Sequence, residues 1–149
     1  MKAQEIMTKN PSLCTATTKL DEVARLMVDG DCGEIPVVRS KEKAELLGVI
    51  TDRDITCRAV AQGKNPSNTS ASEVMSSPAV TVSPETDLVQ CCKLFEEKEI
   101  RRLPVVDQKG HCVGIISLTD VAEKAPEQYA RELLRHATRG TSGARPAAH

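Results

Sequence analysis

The sequence predicts an α/β fold, built from two copies of a β-α-β-β-α unit and a helix at the C-terminus. The main observation is an internal repeat: at an offset of 68 residues, Met75 falls on Met7 and the segment 103–106 falls on 35–38. Each copy also contains one apolar pattern with helical spacing and short β-branched segments that favour strands. Self-similarity of this length is typical of a duplicated structural unit.

The repeat continues beyond a polar stretch of unequal length. Nine residues separate the Val-Val pair of the first copy from Gly48, and seven separate that of the second copy from Gly114. The offset is then 66, and it aligns GVITDRDI with GIISLTDV. Because surface loops tolerate such differences, we interpret the stretch as a hairpin loop.

One amphipathic helix is predicted in each copy, because apolar residues recur at i, i+3, i+4 and i+7. In the first copy these residues are Leu20, Val23, Ala24 and Met27. In the second copy they are Leu88, Cys91, Cys92 and Phe95. We therefore interpret the adjacent cysteines as small apolar core residues rather than as a dithiol switch.

Strands are predicted on both sides of each helix. The β-branched segments IPVV and LPVV are typical of strand starts, and GVIT and GIIS supply a paired strand in each copy. Shorter extended segments are expected at 12–15 and 79–82, each of which follows a proline. A second helix is expected to open just after the Thr or Ser.

The repeat and the turn-forming residues that follow each copy divide the chain into segments. A linker rich in Gly, Asn, Pro and Ser is predicted between the copies, and the segment from Pro126 has an apolar row and a Gly stop that favour a helix. The predicted division is a first unit at 1–62, a linker at 63–71, a second unit at 72–124, a C-terminal helix at 125–138 and a disordered tail at 139–149.

Composition narrows the classes of partner. The 149 residues carry 20 Lys and Arg against 21 Asp and Glu, and aromatic residues make up 1%. Nucleic acid and membrane surfaces are therefore not the expected partners, since both favour a basic face. No apolar stretch is long enough to predict a membrane span or a signal peptide. The six cysteines lack metal-like spacing, so we expect a cytoplasmic protein with reduced thiols and no metal.

The pattern that carries chemistry is Thr51-x-x-Asp54, repeated as Ser117-x-x-Asp120. A hydroxyl at the end of a strand, beside the unpaired amides of a helix start, suits a phosphate. A carboxylate one turn later can accept both hydroxyls of a ribose. The base would lie against the aliphatic residues Ile35, Ile50, Leu103 and Ile116.

The same pattern has a second interpretation. Ser or Thr followed three residues later by an acid is also a helix capping box, which satisfies the same amides without any ligand. Two copies in register, each after Gly-aliphatic-Ile, make the pattern more specific than a single one.

Taken together, the repeated motifs resemble the CBS domain, named after cystathionine beta-synthase, in two copies over about residues 4–123. The resemblance implies a bacterial stand-alone pair with pseudo-twofold symmetry and two clefts between the units. It implies ligands that contain adenosine, namely AMP, ADP, ATP, NAD or S-adenosylmethionine, and a homodimer. The ligand-binding residues it implies are Thr51, Asp54, Ser117 and Asp120, with Ile35, Leu103, Ser12, Leu13, Ala79 and Val80 beside them.

The segment RRLP also resembles the AMP-sensing kinase gamma subunit, which implies a phosphate role for Arg101 and Arg102. The first copy departs from this pattern, because Gly33 and Glu34 occupy the corresponding positions.

Two functions of different classes remain open. The first is a regulatory module that binds an adenine nucleotide as a ligand and relays it to an unknown partner protein. The alternative is a structural or redox-responsive interaction protein with unoccupied clefts. An enzyme is not expected, and no catalytic residue or catalytic cofactor is assigned, because no nucleophile-base pair or carboxylate pair recurs in the pattern.

Overall fold

The computed structural model describes residues 1–139, which form two compact units. We call residues 10–79 with 108–112 the first-repeat unit, and residues 1–9, 80–107 and 113–139 the second-repeat unit. The elements, in chain order, are α1 (Ala3–Ile6), β1 (Thr8–Lys9), β2 (Cys14–Thr15), α2 (Leu20–Gly30), β3 (Glu34–Val38), β4 (Leu46–Thr51), α3 (Asp52–Ile55), α4 (Ala71–Val74), α5 (Leu88–Glu97), β5 (Arg102–Val106), β6 (Cys112–Ser117), α6 (Leu118–Lys124) and α7 (Glu127–Arg139). A π-helical turn at Thr56–Val60 extends α3, and a 3₁₀ turn lies at Pro66–Asn68.

The first-repeat unit is built around α2 and a three-stranded sheet in the order β2-β3-β4. The apolar face of α2 is buried at Leu20, Val23 and Met27, as its periodicity predicts. Strand β2 runs parallel to β3, and β3 pairs antiparallel with β4. Their side chains meet in a core whose other buried members are Cys14, Ile35, Val37, Ile50, Ala59, Ala71 and Val74.

The second-repeat unit has the corresponding core around α5 and the sheet β1-β6-β5. Its buried residues include Leu88, Cys91, Cys92 and Phe95 on α5. The terminal helix α7 packs against α5 and α6, and it places Leu133 in this core. The predicted C-terminal helix is therefore present, whereas residues 140–149 of the predicted tail lie outside the described residues.

The compact units do not follow the order of the chain, because a short segment before each repeat packs in the other unit. Strand β1 pairs with β6, and the Ala3 amide donates to the Thr86 carbonyl at 2.8 Å. Correspondingly, the Ala71 amide donates to the Thr18 carbonyl at 2.8 Å, and Ser76 bridges Val49. We call residues 1–9 and 69–77 the exchanged segments.

The exchanged segments contain the two helices that the sequence analysis does not predict, α1 and α4. Each has four residues, too few to show a helical apolar period. The available signals are the repeat offset of 68 and the capping box that Ser70 and Glu73 form at α4. The α/β class with two repeats is confirmed, whereas the boundaries of the units remain a prediction.

Candidate functional site

The first junction lies where β4 ends and α3 begins. Thr51 is the N-cap of α3, and its hydroxyl accepts a hydrogen bond from the Asp54 amide at 3.0 Å. The Asp54 carboxylate accepts one from the Thr51 amide, also at 3.0 Å. The pair therefore forms a reciprocal capping box, which offsets two of the unpaired amides at the helix start.

The second junction, between β6 and α6, has the same geometry with more bonds to its acid. The Ser117 hydroxyl accepts from the Asp120 amide at 3.0 Å, and one oxygen of Asp120 accepts from the Ser117 amide at 2.8 Å. The other oxygen, Oδ1, lies 2.9 Å from Lys124 Nζ and 3.5 Å from the Thr8 hydroxyl. Asp120 is correspondingly 9% exposed and its carboxylate is held from several directions.

A cation one turn after each acid links the junction to an exchanged segment. Lys124 Nζ donates to the Ile6 carbonyl at 3.2 Å as well as to Asp120. In the first junction, an Arg58 guanidinium nitrogen donates to the Val74 carbonyl at 3.1 Å, while Nε lies 3.9 Å from Asp54 Oδ1. The Asp54 contact is longer than a hydrogen bond, so the two acids are held unequally by their cations.

Arg58 and Lys124 are functional candidates that the sequence analysis does not single out. The signal that could have found them is the offset of 66, which places Lys124 on Arg58 just as it places Asp120 on Asp54. An acid followed by a cation at i+4 is a common solvated helix pair, so the spacing alone does not point to a site.

A glycine in each repeat allows the exchanged segment to approach the sheet closely. A Cβ on Gly48 would lie 2.6 Å from the Ser76 carbonyl oxygen, and one on Gly114 would lie 2.6 Å from Met7 Sδ. Neither distance is compatible with an ordinary side chain. The glycine of the repeated Gly-aliphatic-Ile pattern is therefore explained by this close approach.

The aliphatic residues predicted to lie against a base are all fully buried. Ile35 is opposite Ile50 in the β3–β4 register, and both belong to the core of the first-repeat unit. Leu103 and Ile116 belong to the core of the second-repeat unit. Their primary role in this structure is core packing, and contact with a ligand remains a prediction for them.

The other predicted site residues lie at the rim of their units. Ser12, Leu13, Ala79 and Val80 are all half-buried. Val80 packs against the core of the second-repeat unit. These residues supply partly accessible surface near the repeats, and their contact with a base stays a prediction.

The residue before β3 and the first residue of β3 differ from their counterparts at β5. Arg101 is exposed and its carbonyl accepts from the Leu118 amide at 3.0 Å. The Gly33 carbonyl makes the equivalent bond with the Asp52 amide, also at 3.0 Å. The backbone frame of the two junctions is therefore the same, while the side chains are not. Arg102 is half-buried at the start of β5, and Glu34 is 6% exposed at the start of β3.

The cysteines are all free, and they differ in exposure. Burial, with a smaller contribution from Asp87, raises the pKa of Cys91 to about 11. Burial, with a smaller contribution from Glu22, raises the pKa of Cys14 to about 12. A thiol that stays protonated at neutral pH is a poor nucleophile, so the position of Cys91 favours the interpretation as a core residue.

The described part of the chain contains neither a metal-binding cluster nor a membrane-spanning helix. Among the side chains that the structure describes, no group of three or more His, Cys, Asp or Glu is arranged to hold a metal ion. None of its helices combines the length and the apolar character needed to cross a bilayer.

Comparison with known proteins gives the family. The CBS domain model matches residues 3–59 and 71–127. The CBS domain-containing protein YhcV of Bacillus subtilis is 40% identical over 119 residues, covering 80% of this chain and 81% of YhcV. The Methanopyrus kandleri protein MK0525 is 38% identical over 105 residues, or 70% of this chain, which spans 53% of that protein's length.

Among solved structures, the CBS domain protein PAE2072 from Pyrobaculum aerophilum, complexed with AMP, has a TM-score of 0.77 and 25% identity. The match covers 93% of this chain and 99% of that one. The two segments matched by the family model also contain the two capping-box junctions and the helices of the two exchanged segments. The chain belongs to the CBS domain family, as a tandem pair of CBS domains.

Proposed function

We propose that this protein is a regulatory module that binds an adenosine-containing ligand at its two strand-to-helix junctions and relays the bound state to a partner protein. The observation that carries the proposal is the repeated junction itself. A hydroxyl, the first amides of a helix and a carboxylate recur there in the same backbone frame. The AMP complex of PAE2072 supports the class of ligand.

The chemistry of binding follows from these groups. The Thr51 hydroxyl can donate to a phosphate oxygen while its oxygen still accepts from the Asp54 amide. The Ser117 hydroxyl accepts from the Asp120 amide and donates to the Asp120 carboxylate at 2.9 Å, so it would turn its proton from that carboxylate to a phosphate. Asp54 can accept the two hydroxyls of a ribose, and a charged acceptor gives the stronger bonds. Asp120 already accepts from Ser117, Lys124 and Thr8, so ribose hydroxyls at this acid would replace some of those donors. No bond is made or broken in this scheme, so the protein needs no catalytic cofactor.

The structure also favours a specific competitor for this role. Both acids already accept bonds within their capping boxes. An interaction protein with unoccupied junctions would need only these bonds, and this is the second candidate function. A redox response at the adjacent Cys91 and Cys92 is disfavoured, because both are buried and burial raises the pKa of Cys91 to about 11.

Equilibrium dialysis of the full chain against AMP, ATP, NAD and S-adenosylmethionine separates the two candidates. Hydrogen bonds to a charged acceptor contribute about 1.5 to 3 kcal/mol, so Asp54→Ala and Asp120→Ala should each weaken binding about tenfold to a hundredfold at its own junction. Deoxyribose analogues should lose less affinity in the variants than in the wild type. Equal losses in both backgrounds would assign the carboxylates to capping alone.

The state of assembly and the compartment are part of the same proposal. We expect a homodimer, because Val28, Val60 and Val89 are exposed on helical segments and a twofold contact would cover such side chains. Light scattering that gives the 16.1 kDa monomer mass at tens of micromolar would contradict this. The free cysteines support a cytoplasmic location.

A further inference from the structure

We infer that the two junctions accept different classes of adenosine derivative. The first junction takes one whose 5′ group is uncharged or cationic, and the second takes one with phosphate charge. Glu34 and Arg102 decide the difference. This inference rests on the proposed function and deepens it, because it names the ligand class of each junction.

The position of Glu34 follows from the register of the first sheet. In the antiparallel pair β3–β4, Glu34 lies directly opposite Thr51. Directly opposed residues point their side chains to the same face of the sheet, with Cβ atoms about 4.5–5.5 Å apart. The next pair, Ile35 and Ile50, faces the core. Glu34 and the Thr51 hydroxyl therefore share the opposite face, at the point where a 5′ group would meet the hydroxyl.

The second repeat has a cation in the same place. The offset of 68 places Arg102 on Glu34, and the offset of 66 places Ser117 on Thr51. Arg102 opens β5, Ser117 closes β6, and these strands are neighbours in their sheet. By this correspondence with Glu34 and Thr51, Arg102 is expected opposite Ser117, where a guanidinium could bind a phosphate through two donors at once.

The burial of Glu34 strengthens the interaction of its carboxylate with any charged group of a ligand at the first junction. Glu34 is 6% exposed, so water and salt screen its interaction with a neighbouring anion less than they would at the surface. Because Glu34 and Thr51 are directly opposed, a phosphate bound to the Thr51 hydroxyl would lie close to the Glu34 carboxylate. Two negative charges at such close range repel each other. A neutral hydroxyl or thioether, or a cationic 5′ group, would meet no such repulsion.

The test uses nuclear magnetic resonance titration of the full chain, with one backbone amide as the reporter of each junction. The reporters are the amides of Asp54 and Asp120, which donate to the Thr51 and Ser117 hydroxyls. The probes are adenosine and AMP. We expect the Asp54 amide to respond to adenosine at a concentration at least about tenfold lower than to AMP. The Asp120 amide should show the reverse order.

The variant Glu34→Gln keeps the shape of the side chain and removes its charge. It should improve the response of the Asp54 amide to AMP by a factor at least about ten times larger than any change in its response to adenosine. Glu42→Gln is the matched control, since it makes the same charge change at an exposed residue of the same unit. If Glu34→Gln does not fold, the order of the two probes in the wild type still decides.

Two results would overturn the inference while leaving the proposed function intact. One is an Asp54 amide that responds to AMP and adenosine at equal concentrations in the wild type. The other is an equal gain in Glu34→Gln and Glu42→Gln. If neither reporter responds to either probe, the proposed function itself fails, and the inference fails with it.

Discussion

Replacing Lys124 by methionine should weaken the attachment of the N-terminal exchanged segment to the second-repeat unit. Lys124 donates to the Asp120 carboxylate at 2.9 Å and to the Ile6 carbonyl at 3.2 Å. Methionine keeps an unbranched apolar side chain and a high helix propensity. The variant therefore removes two charge-assisted bonds with little change in packing or in the helix.

The expected loss follows from the exposure of the partners. Hydrogen bonds that involve a charge contribute about 1.5 to 3 kcal/mol. The Lys124 side chain is 43% exposed, which reduces its share through screening, whereas that of Asp120 is 13% exposed and loses a donor. We expect a loss of about 2 kcal/mol in the free energy of unfolding.

The measurement is urea unfolding followed by circular dichroism, together with hydrogen exchange. Exchange should accelerate at the amides of Ala3 and Leu88, which donate to the Thr86 and Met1 carbonyls. Arg25→Met is the matched control, because Arg25 makes one i,i+4 contact with Asp21 at 3.5 Å and is 73% exposed. That variant should lose about 0.3 kcal/mol. Equal losses in the two variants, or unchanged exchange at Ala3, would refute the role of Lys124.

Three further predictions follow from close contacts and buried thiols. Gly48→Ala should lower the free energy of unfolding by about 2 kcal/mol or more, because its Cβ would lie 2.6 Å from a backbone carbonyl oxygen. Gly114→Ala should lower it less, because its closest contact, at 2.6 Å, is a flexible methionine and the nearest backbone oxygen is 3.0 Å away; urea unfolding of both variants gives the comparison. Burial raises the pKa of Cys14 to about 12 and that of Cys91 to about 11, so at pH 10 the folded state keeps protons that the unfolded state has lost. The free energy of unfolding should therefore fall by about 1 to 2 kcal/mol per thiol between pH 8 and pH 10, and the total fall should be smaller in Cys91→Val. Iodoacetamide should label the exposed Cys32 before any buried cysteine, as mass spectrometry of the peptides would show.

The sequence predicts those parts of the fold that repeat a local pattern. The helical period of Leu20, Val23 and Met27 and its copy at Leu88 identify α2 and α5, because these faces are buried in the structure. The β-branched segments and the proline positions identify β3 to β6 in the same way. These sequence patterns are local. They are sufficient to predict the helices and strands, because they indicate which residues of each element are buried.

The exchange of segments could not be predicted in this way. Whether Ala71 packs with the repeat that precedes it or with the one that follows depends on long-range bonds, such as the one from its amide to the Thr18 carbonyl. Helix α4 has four residues, too few for a helical apolar period to indicate the unit in which it packs. The glycine at 48 is the one local trace of this contact, and glycine also occurs in strands at bulges and sharp bends.

In the candidate site, the sequence repeat predicts the backbone arrangement of the two junctions but not the side chains that would select a ligand. The capping boxes of Thr51 and Ser117 are equivalent in every backbone bond, since that frame is needed to start a helix whatever the function. The side chains that such a frame does not require can diverge, and Glu34 and Arg102 have diverged to opposite charge. Opposite charges at this pair of positions, beside capping boxes with the same backbone bonds, are expected where the two copies recognise different ligands. If the junctions served only as caps, exchanging the two charges, with arginine at position 34 and glutamate at position 102, should not change how the Asp54 and Asp120 amides respond to any adenosine derivative.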